Sequence, residues 1–218
     1  MAATTTITAP PTRPGVVRVV SEDDATPLAR LVGRTLQQAL HSGHAQEVLE
    51  TTVGTVVVRS HDTPQVATIA FSGGTIDVAS GAQPEPGATV VVDLNARFAL
   101  TQEPEGDGVL AAAALQALTP PVPHWREAAR RFWAATREIP GIPDVLVVEA
   151  VGPDGSEHDR FGEGTTTYGI AGPADLLAGI FSGADDLLVS LAAGVRIQGT
   201  LSQLSVMTAA SWKVRFDV

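Results

Sequence analysis

The stretch PADLLAGIFSGADDLLVSLAAGVRIQGTLSQL, Pro173 to Leu204, decides the fold. It is rich in Leu, Ala and Ile, is cut by Gly at intervals, and holds almost no group able to do chemistry. Pro173 suits the first turn of a helix, and Gly183 suits its end. Asp185 and Asp186 favour the start of a second short helix, with Gly194 at its C-terminal cap. VRIQ alternates as a strand. Thr200 and Gln203 have the spacing of a capping box for a last helix, LSQLSVMTAA. Helices this short, broken every ten residues or so, cannot be long core rods; their Leu and Ile residues either pack as plain core or line a pocket.

Working outward, WKVRFDV (212–218) alternates strictly, which predicts a half-buried terminal strand. Upstream, DVLVVEAVG (144–152) and GTTTYGIAG (164–172) read as strands, with a polar loop, PDGSEHDRFGE, between them. HWREAARRFWAATRE (124–138) is an amphipathic helix that puts Trp125, Ala129, Phe132, Trp133 and Thr136 on one face. TPPVP (119–123) is a stiff linker. VLAAAALQAL (109–118) is a short helix. The first half begins with one helix over residues 27–50. The strands TVVVRS (55–60), QVATIAF (65–71), TIDVAS (75–80) and ATVVVDL (88–94) follow. FSGG at 71–74 is a hairpin signal. The fold class is α+β, with a mixed or antiparallel sheet covered by helices. GATVVVDLNARFAL (87–100) resembles GTTTYGIAGPADLL (164–177) in position and pattern, which admits two pseudo-repeats or one domain with an insertion.

The chain has 218 residues, 44% hydrophobic and 17% charged, enough to bury a large core. Three segments are expected: a disordered arm over 1–15, a helix plus strand meander over 16–118, and a second unit of strands and apolar helices over 119–218. A formal net charge of −10 argues against nucleic acid as a partner. With no cysteine, disulfides, thiol nucleophiles and Cys-ligated metals are excluded. No apolar run is long enough to span a bilayer, and the first residues do not read as a signal peptide. A cytoplasmic location is the expectation.

Candidate chemistry is thin. His41 and His44, at i and i+3, could touch one metal ion, but Glu47 at i+6 falls off that face and Gly43 weakens the helix there, so a solvated helix end is the expectation. His61-Asp62 and Glu157-His158-Asp159 sit at turns where either imidazole has a carboxylate beside it. Ser182 in GIFSG lacks the spacing of a nucleophile elbow. FGEGTTTYG lacks the third Gly of a dinucleotide loop. Neither a cofactor nor a metal site is called for.

The run from Pro173 to Gly199, with residues 28–94, resembles the sterol carrier protein 2 family over half to two-thirds of the chain. The resemblance implies a hydrophobic tunnel for acyl chains, sterols or polyketide- and terpenoid-like molecules. Its lining would be Leu176, Leu177, Ile180, Phe181, Leu187, Leu188 and Leu191, with Leu204 and Met207 from the last helix. The segment 101–164 exceeds one copy of that fold, and Phe-Asp-Val is not a peroxisomal address. The expected function is non-covalent binding of an apolar small molecule. One alternative is a biosynthetic cyclase or tailoring enzyme in which His124, Trp133, His158 and Tyr168 are the side chains of interest. The other is an interaction module, with a homodimer as one form.

Overall fold

Val-rich segments that alternate about Gly turns must pair into sheets, and here they form two. A computed structural model describes residues 17–216. The expected arm over 1–15 and the last two residues of the expected terminal strand, Asp217 and Val218, lie outside the described residues. The first half runs β1 (Arg18–Ser21), α1 (Pro27–Ser42), α2 (Gln46–Thr51), β2 (Val53–Ser60), β3 (Val66–Ser72), β4 (Thr75–Ser80) and β5 (Ala88–Asp93). A 3₁₀ turn (Leu94–Ala96) leads to the short β6 (Ala99–Leu100) and β7 (Glu105–Gly106), then α3 (Gly108–Leu118). The second half runs α4 (Trp125–Thr136), β8 (Val145–Gly152), β9 (Gly155–Phe161), β10 (Thr167–Pro173), α5 (Ala174–Ser182), α6 (Leu187–Ala192), β11 (Arg196–Gln198) and α7 (Leu201–Phe216). The chain is α+β with two mixed sheets.

The sheets repeat one pairing scheme. In the first, the order is β1-β4-β3-β2-β5-β6, with β7 also on β5; in the second it is β11-β10-β8-β9. Each centres on a parallel pair, β2 with β5 and β8 with β10. The first strand of each pair carries an antiparallel hairpin partner, β3 or β9. The second carries a short antiparallel strand, β6 or β11. A helix precedes each unit and another follows it. The two sequence segments that resemble each other, 87–100 and 164–177, begin at β5 and β10, which hold the same place in their sheets.

Each sheet turns one row of side chains into its own core. Val56, Val58, Ile69, Ile76 and Val90 pack with Leu28, Val32 and Leu36 of α1. Leu146, Val148, Phe161 and Ile170 pack with Phe132 of α4 and Leu177 and Phe181 of α5. Phe132 and Phe181 meet with ring centroids 5.3 Å apart and planes at 51°.

The halves meet through few but specific contacts. α1 packs on α7, and Phe216 of α7 packs against the first core. Arg97 follows the 3₁₀ turn with φ 51°, and Phe98 with φ 62°. Both are in the left-handed region, which costs non-Gly residues on the order of 1 kcal/mol or more. That backbone puts Phe98 in the first core and sends Arg97 to the second half. Its Nε donates to Asp185 Oδ1 at 2.9 Å, and Nη2 donates to Asp185 Oδ2 at 2.5 Å and to Asp175 Oδ2 at 3.0 Å. Bonding to Asp185, against the opposing effect of burial, pushes the guanidinium further above its usual range. Arg215 is 3% exposed. It donates to the carbonyls of Gly183 (3.1 Å), Ala184 (2.7 Å) and, across the halves, Leu94 (2.8 Å).

Several sequence expectations are corrected. WKVRFDV does not form a strand: residues through Phe216 continue α7. No Gly or Pro interrupts the run from Leu201, and Met207, Thr208, Ala210, Ser211 and Arg215 are buried at helical spacing. The capping box does form, with Thr200 N–H donating to Gln203 Oε1 at 2.8 Å and Gln203 N–H to Thr200 Oγ1 at 3.2 Å. The helix expected over 27–50 breaks at Gly43, whose φ of 67° caps α1 before α2 begins. PDGSEHDRFGE is not a loop, since most of it is β9. Its charged side chains suit a sheet edge that must not pair further. β1, which pairs in parallel with β4, was not foreseen. Four exposed-to-half-buried residues carry too short a pattern to register.

Gly179 tests the joint. Gly to Ala inside a helix normally stabilises by about 1 kcal/mol. Here a methyl group would collide with the Asp185 carboxylate and lie 2.8 Å from Arg97 Nη2. Gly179→Ala is expected to destabilise by about 1–3 kcal/mol, read as a lower urea midpoint. Gly108→Ala, with nothing within 4 Å of the new carbon, is the control and is expected to change stability by less than about 0.5 kcal/mol.

Candidate functional site

The two cores face each other across a two-lobed cleft. The larger lobe, about 790 Å³, lies between α1 and the helices of the second half. Its apolar wall is Ala128, Phe132 and Ala135 of α4, Phe181 of α5 and Val214 of α7. The smaller lobe, about 380 Å³, is walled by Leu31 of α1, Phe98 and Leu118, with Arg97 and Asp175 at one side. Arg34, Gln38, Pro121 and Val122 line both lobes and mark where they join.

The linker is a fitting wall. A segment crossing an apolar space must satisfy its backbone donors or lack them. Pro120, Pro121 and Pro123 have no N–H, so the TPPVP segment borders the cleft with few donors to orphan. The opposite side is a polar run of α1. Arg34, Gln37, Gln38 and His41, at i, i+3, i+4 and i+7, share one stripe of the helix and all line the larger lobe. Arg34 Nη2 donates to Gln38 Oε1 at 3.3 Å. His41 Nδ1 lies 2.7 Å from the Gln37 carbonyl oxygen. Only an N–H can satisfy that contact, so Nδ1 carries the proton and Nε2 is the nitrogen left for other partners. At the rim, Arg131 donates to Glu127 at 2.5 Å, an exposed i,i+4 pair.

The nine residues expected to line a tunnel divide. Phe181 borders the larger lobe. Leu177, Ile180, Leu187 and Met207 are buried in the second core, and Leu176, Leu191 and Leu204 pack against it. Leu188 is 44% exposed and borders neither lobe. Most of the group therefore forms the solid wall behind the cleft.

The polar candidates are scattered. His44 Nε2 lies 2.7 Å from the Gln116 carbonyl and ties α2 to the end of α3. His61 sits 3.9 Å from Asp62 and 4.0 Å from Asp93, just beyond the C-terminal ends of β2 and β5. Glu157 accepts from Trp125 Nε1 at 3.2 Å, and Glu157 and Asp159 pair with Arg126 at 3.2 and 2.9 Å. These acids hold α4 on β9. His158 lies on the other face of β9, opposite Glu149. His124 caps α4, accepting from Arg126 N–H at 3.3 Å. Ser182 donates to the Gly179 carbonyl at 3.2 Å. Trp133 packs against the second core, and Tyr168 is fully buried in it. Of the polar candidates His41 and Ser182 both border the larger lobe, and the others border neither lobe. Among the described residues no three His, Cys, Asp or Glu side chains are grouped to hold a metal ion. No helix there is long and apolar enough to cross a membrane.

Comparison with protein-family models, curated proteins and solved structures finds no match to this chain.

Tyr168 gives a direct measurement. Its hydroxyl has no hydrogen-bond partner among the described residues, and burial pushes the phenol above its usual range. The folded state thus favours the neutral phenol. That contribution is complete below the ordinary tyrosine pKa of about 10 and is lost as the pH rises above it. As this is the chain's one tyrosine, tyrosinate absorbance should rise only together with alkaline unfolding. Tyr168→Phe is expected to be neutral or stabilising by up to about 1 kcal/mol, since it deletes an unpaired buried hydroxyl. A loss of stability in thermal melts would show that the hydroxyl is bonded.

Proposed function

We propose that this protein binds an apolar small molecule, non-covalently, in the cleft between its halves, as a carrier or storage protein of the cytoplasm. The observation that supports this is the two-lobed space walled by Phe132, Phe181, Val214, Leu31, Phe98 and Leu118. Each lobe by itself, at about 790 and 380 Å³, falls in the range of about 300–1,000 Å³ typical of small-molecule sites. Binding would work by desolvation. At about 0.8 kcal/mol per buried CH₂, an acyl chain of ordinary length gains enough to offset the cost of ordering it. The repeated pairing scheme supports reading each half as a divergent copy of one sterol carrier protein 2-like unit. On that reading the cleft lies between two copies rather than inside one. The scattered histidines and the buried Tyr168 lend no support to a catalytic alternative. Leu188, Val189 and Trp212, all more than two-fifths exposed and held together by the Trp212 Nε1–Asp186 bond of 3.0 Å, favour an interaction module as the second reading.

Native mass spectrometry of the purified chain, with solvent extraction of what it carries, tests both. A co-purifying lipid, polyketide or terpenoid is the expected result, whereas a ligand-free dimer would favour the interaction module. Two variants then place the ligand. Ala135 is exposed on the cleft side of α4, so Ala135→Trp fills the larger lobe without disturbing the core. It is expected to weaken binding of a neutral fluorescent probe about tenfold or more, roughly 1.4 kcal/mol. Leu188→Arg is expected to leave binding unchanged. The reverse pattern would move the ligand to the apolar group on α5 to α7.

A further inference from the structure

We propose that the larger lobe selects apolar ligands whose head group is a neutral hydrogen-bond donor, a hydroxyl or an amide N–H, and that His41 and Ser182 are the acceptors that select it. This rests on the binding function proposed above and adds the chemistry of the head group.

The two side chains reach the lobe from opposite halves of the chain, each at the C-terminal end of a helix. His41 stands in the last turn of α1, and Ser182 is the last residue of α5. Both border the lobe. Each has its proton engaged on its own helix. His41 Nδ1–H donates to the Gln37 carbonyl at 2.7 Å, and Ser182 Oγ–H donates to the Gly179 carbonyl at 3.2 Å. What each has left to offer is a lone pair, on Nε2 of the imidazole and on Oγ of the hydroxyl. The backbone adds the same polarity. The C-terminal end of a helix carries a partial negative charge, because its last carbonyls have no partner within the helix. His41 and Ser42 bring the end of α1 to the lobe, and Phe181 and Ser182 bring the end of α5.

The charged groups of the lobe are already engaged. Arg131 pairs with Glu127, and Arg34 is held by Gln38 and by further contacts. The amides of Gln37 and Gln38 accept and donate alike, so the direction of the preference falls to His41 and Ser182. A ligand that fills the lobe displaces water from their lone pairs. A hydroxyl or amide N–H replaces the lost bond, whereas an ether of the same size leaves the acceptors unpaired. A carboxylate brings only lone pairs and sets them against those of the site and against two helix C-termini, so the lobe works against anions as well as for donors. The apolar tail would run along Phe132 and Val214.

The test uses the full chain and a neutral polarity-sensitive dye displaced by decanol, decanamide, methyl nonyl ether (the isomer of decanol without a donor) and decanoate. The expected result is that decanol, decanamide or both displace the dye about three- to tenfold better than the ether, the worth of one hydrogen bond, and better than decanoate. The ranking of the two donors identifies the head group. His41→Leu should lower the preference and His41→Leu with Ser182→Ala should erase it, while the ether's affinity stays as in the wild type, which also reports that the variants are folded. His41→Gln, which keeps an acceptor oxygen, should restore part of it. Equal displacement by decanol, decanamide and the ether, tighter binding of decanoate than of both donors, or a preference that survives the double substitution overturns the proposal while leaving the binding function intact. Failure of the dye and of all four amphiphiles to bind overturns both.

Discussion

The arrangement depends on one carboxylate. Asp185 is almost fully buried, and a buried carboxylate is tolerated only when paired and hydrogen-bonded. Its partner, Arg97, comes from the other half of the chain, 88 residues away. Neither half can therefore present this loop in its final form alone. The Gly179 carbonyl accepts the Asp185 N–H at 3.0 Å, and the absence of a side chain at Gly179 makes room for the ion pair. Arg215 closes the same joint from α7. Burial lowers its pKa, opposed by Asp186 and Asp185 nearby, and its donors are taken up by three backbone carbonyls. Removing either arginine would leave buried acceptors without donors, a cost larger than the net gain of an exposed ion pair.

This joint explains the cleft. Each half already buries its own apolar rows, so neither needs the other to complete a core. What remains between them is held by the polar, directional bonds of Arg97 and Arg215 and by the α1–α7 contact. The bonds of Arg97 and Arg215 fix the spacing of the two halves across that gap, whose walls include Phe132, Phe181 and Leu118. The proline linker then closes one side without bringing in a run of unpaired backbone N–H groups.

Legibility from sequence follows the same division. Elements whose periodicity serves their own core were readable: Thr75–Ser80 was placed to the residue, and α3, α4 and the strands of both parallel pairs to within about three residues at either end. Of the nine apolar residues of α5 to α7 read as a lining, eight sit in or against the second core and Leu188 is exposed, because periodicity tells burial from exposure only in part and does not tell core from cavity. WKVRFDV misled for a related reason. Its buried members include a charged residue, Arg215, whose burial is bought by carbonyls 31 and 121 residues away. The polar stripe of α1 looked like any solvated helix face. Only the second half, folded opposite it, turns that stripe into the wall of a cleft.

The two sheets also differ in a way that bears on the cleft. The scheme of parallel pair, hairpin partner and short antiparallel strand is common to both, yet their connections after the second strand of the pair are unequal. In the first half the chain leaves β5 through a three-residue 3₁₀ turn. In the second it leaves β10 through α5 and α6, nine and six residues long. The short connection is where Arg97 and Phe98 take left-handed backbone, and the long one supplies Asp175, Asp185 and Phe181. Equivalent positions thus contribute opposite halves of one ion pair. The asymmetry lets a repeated topology build a single cleft, since two identical connections would place like charge against like charge at the joint.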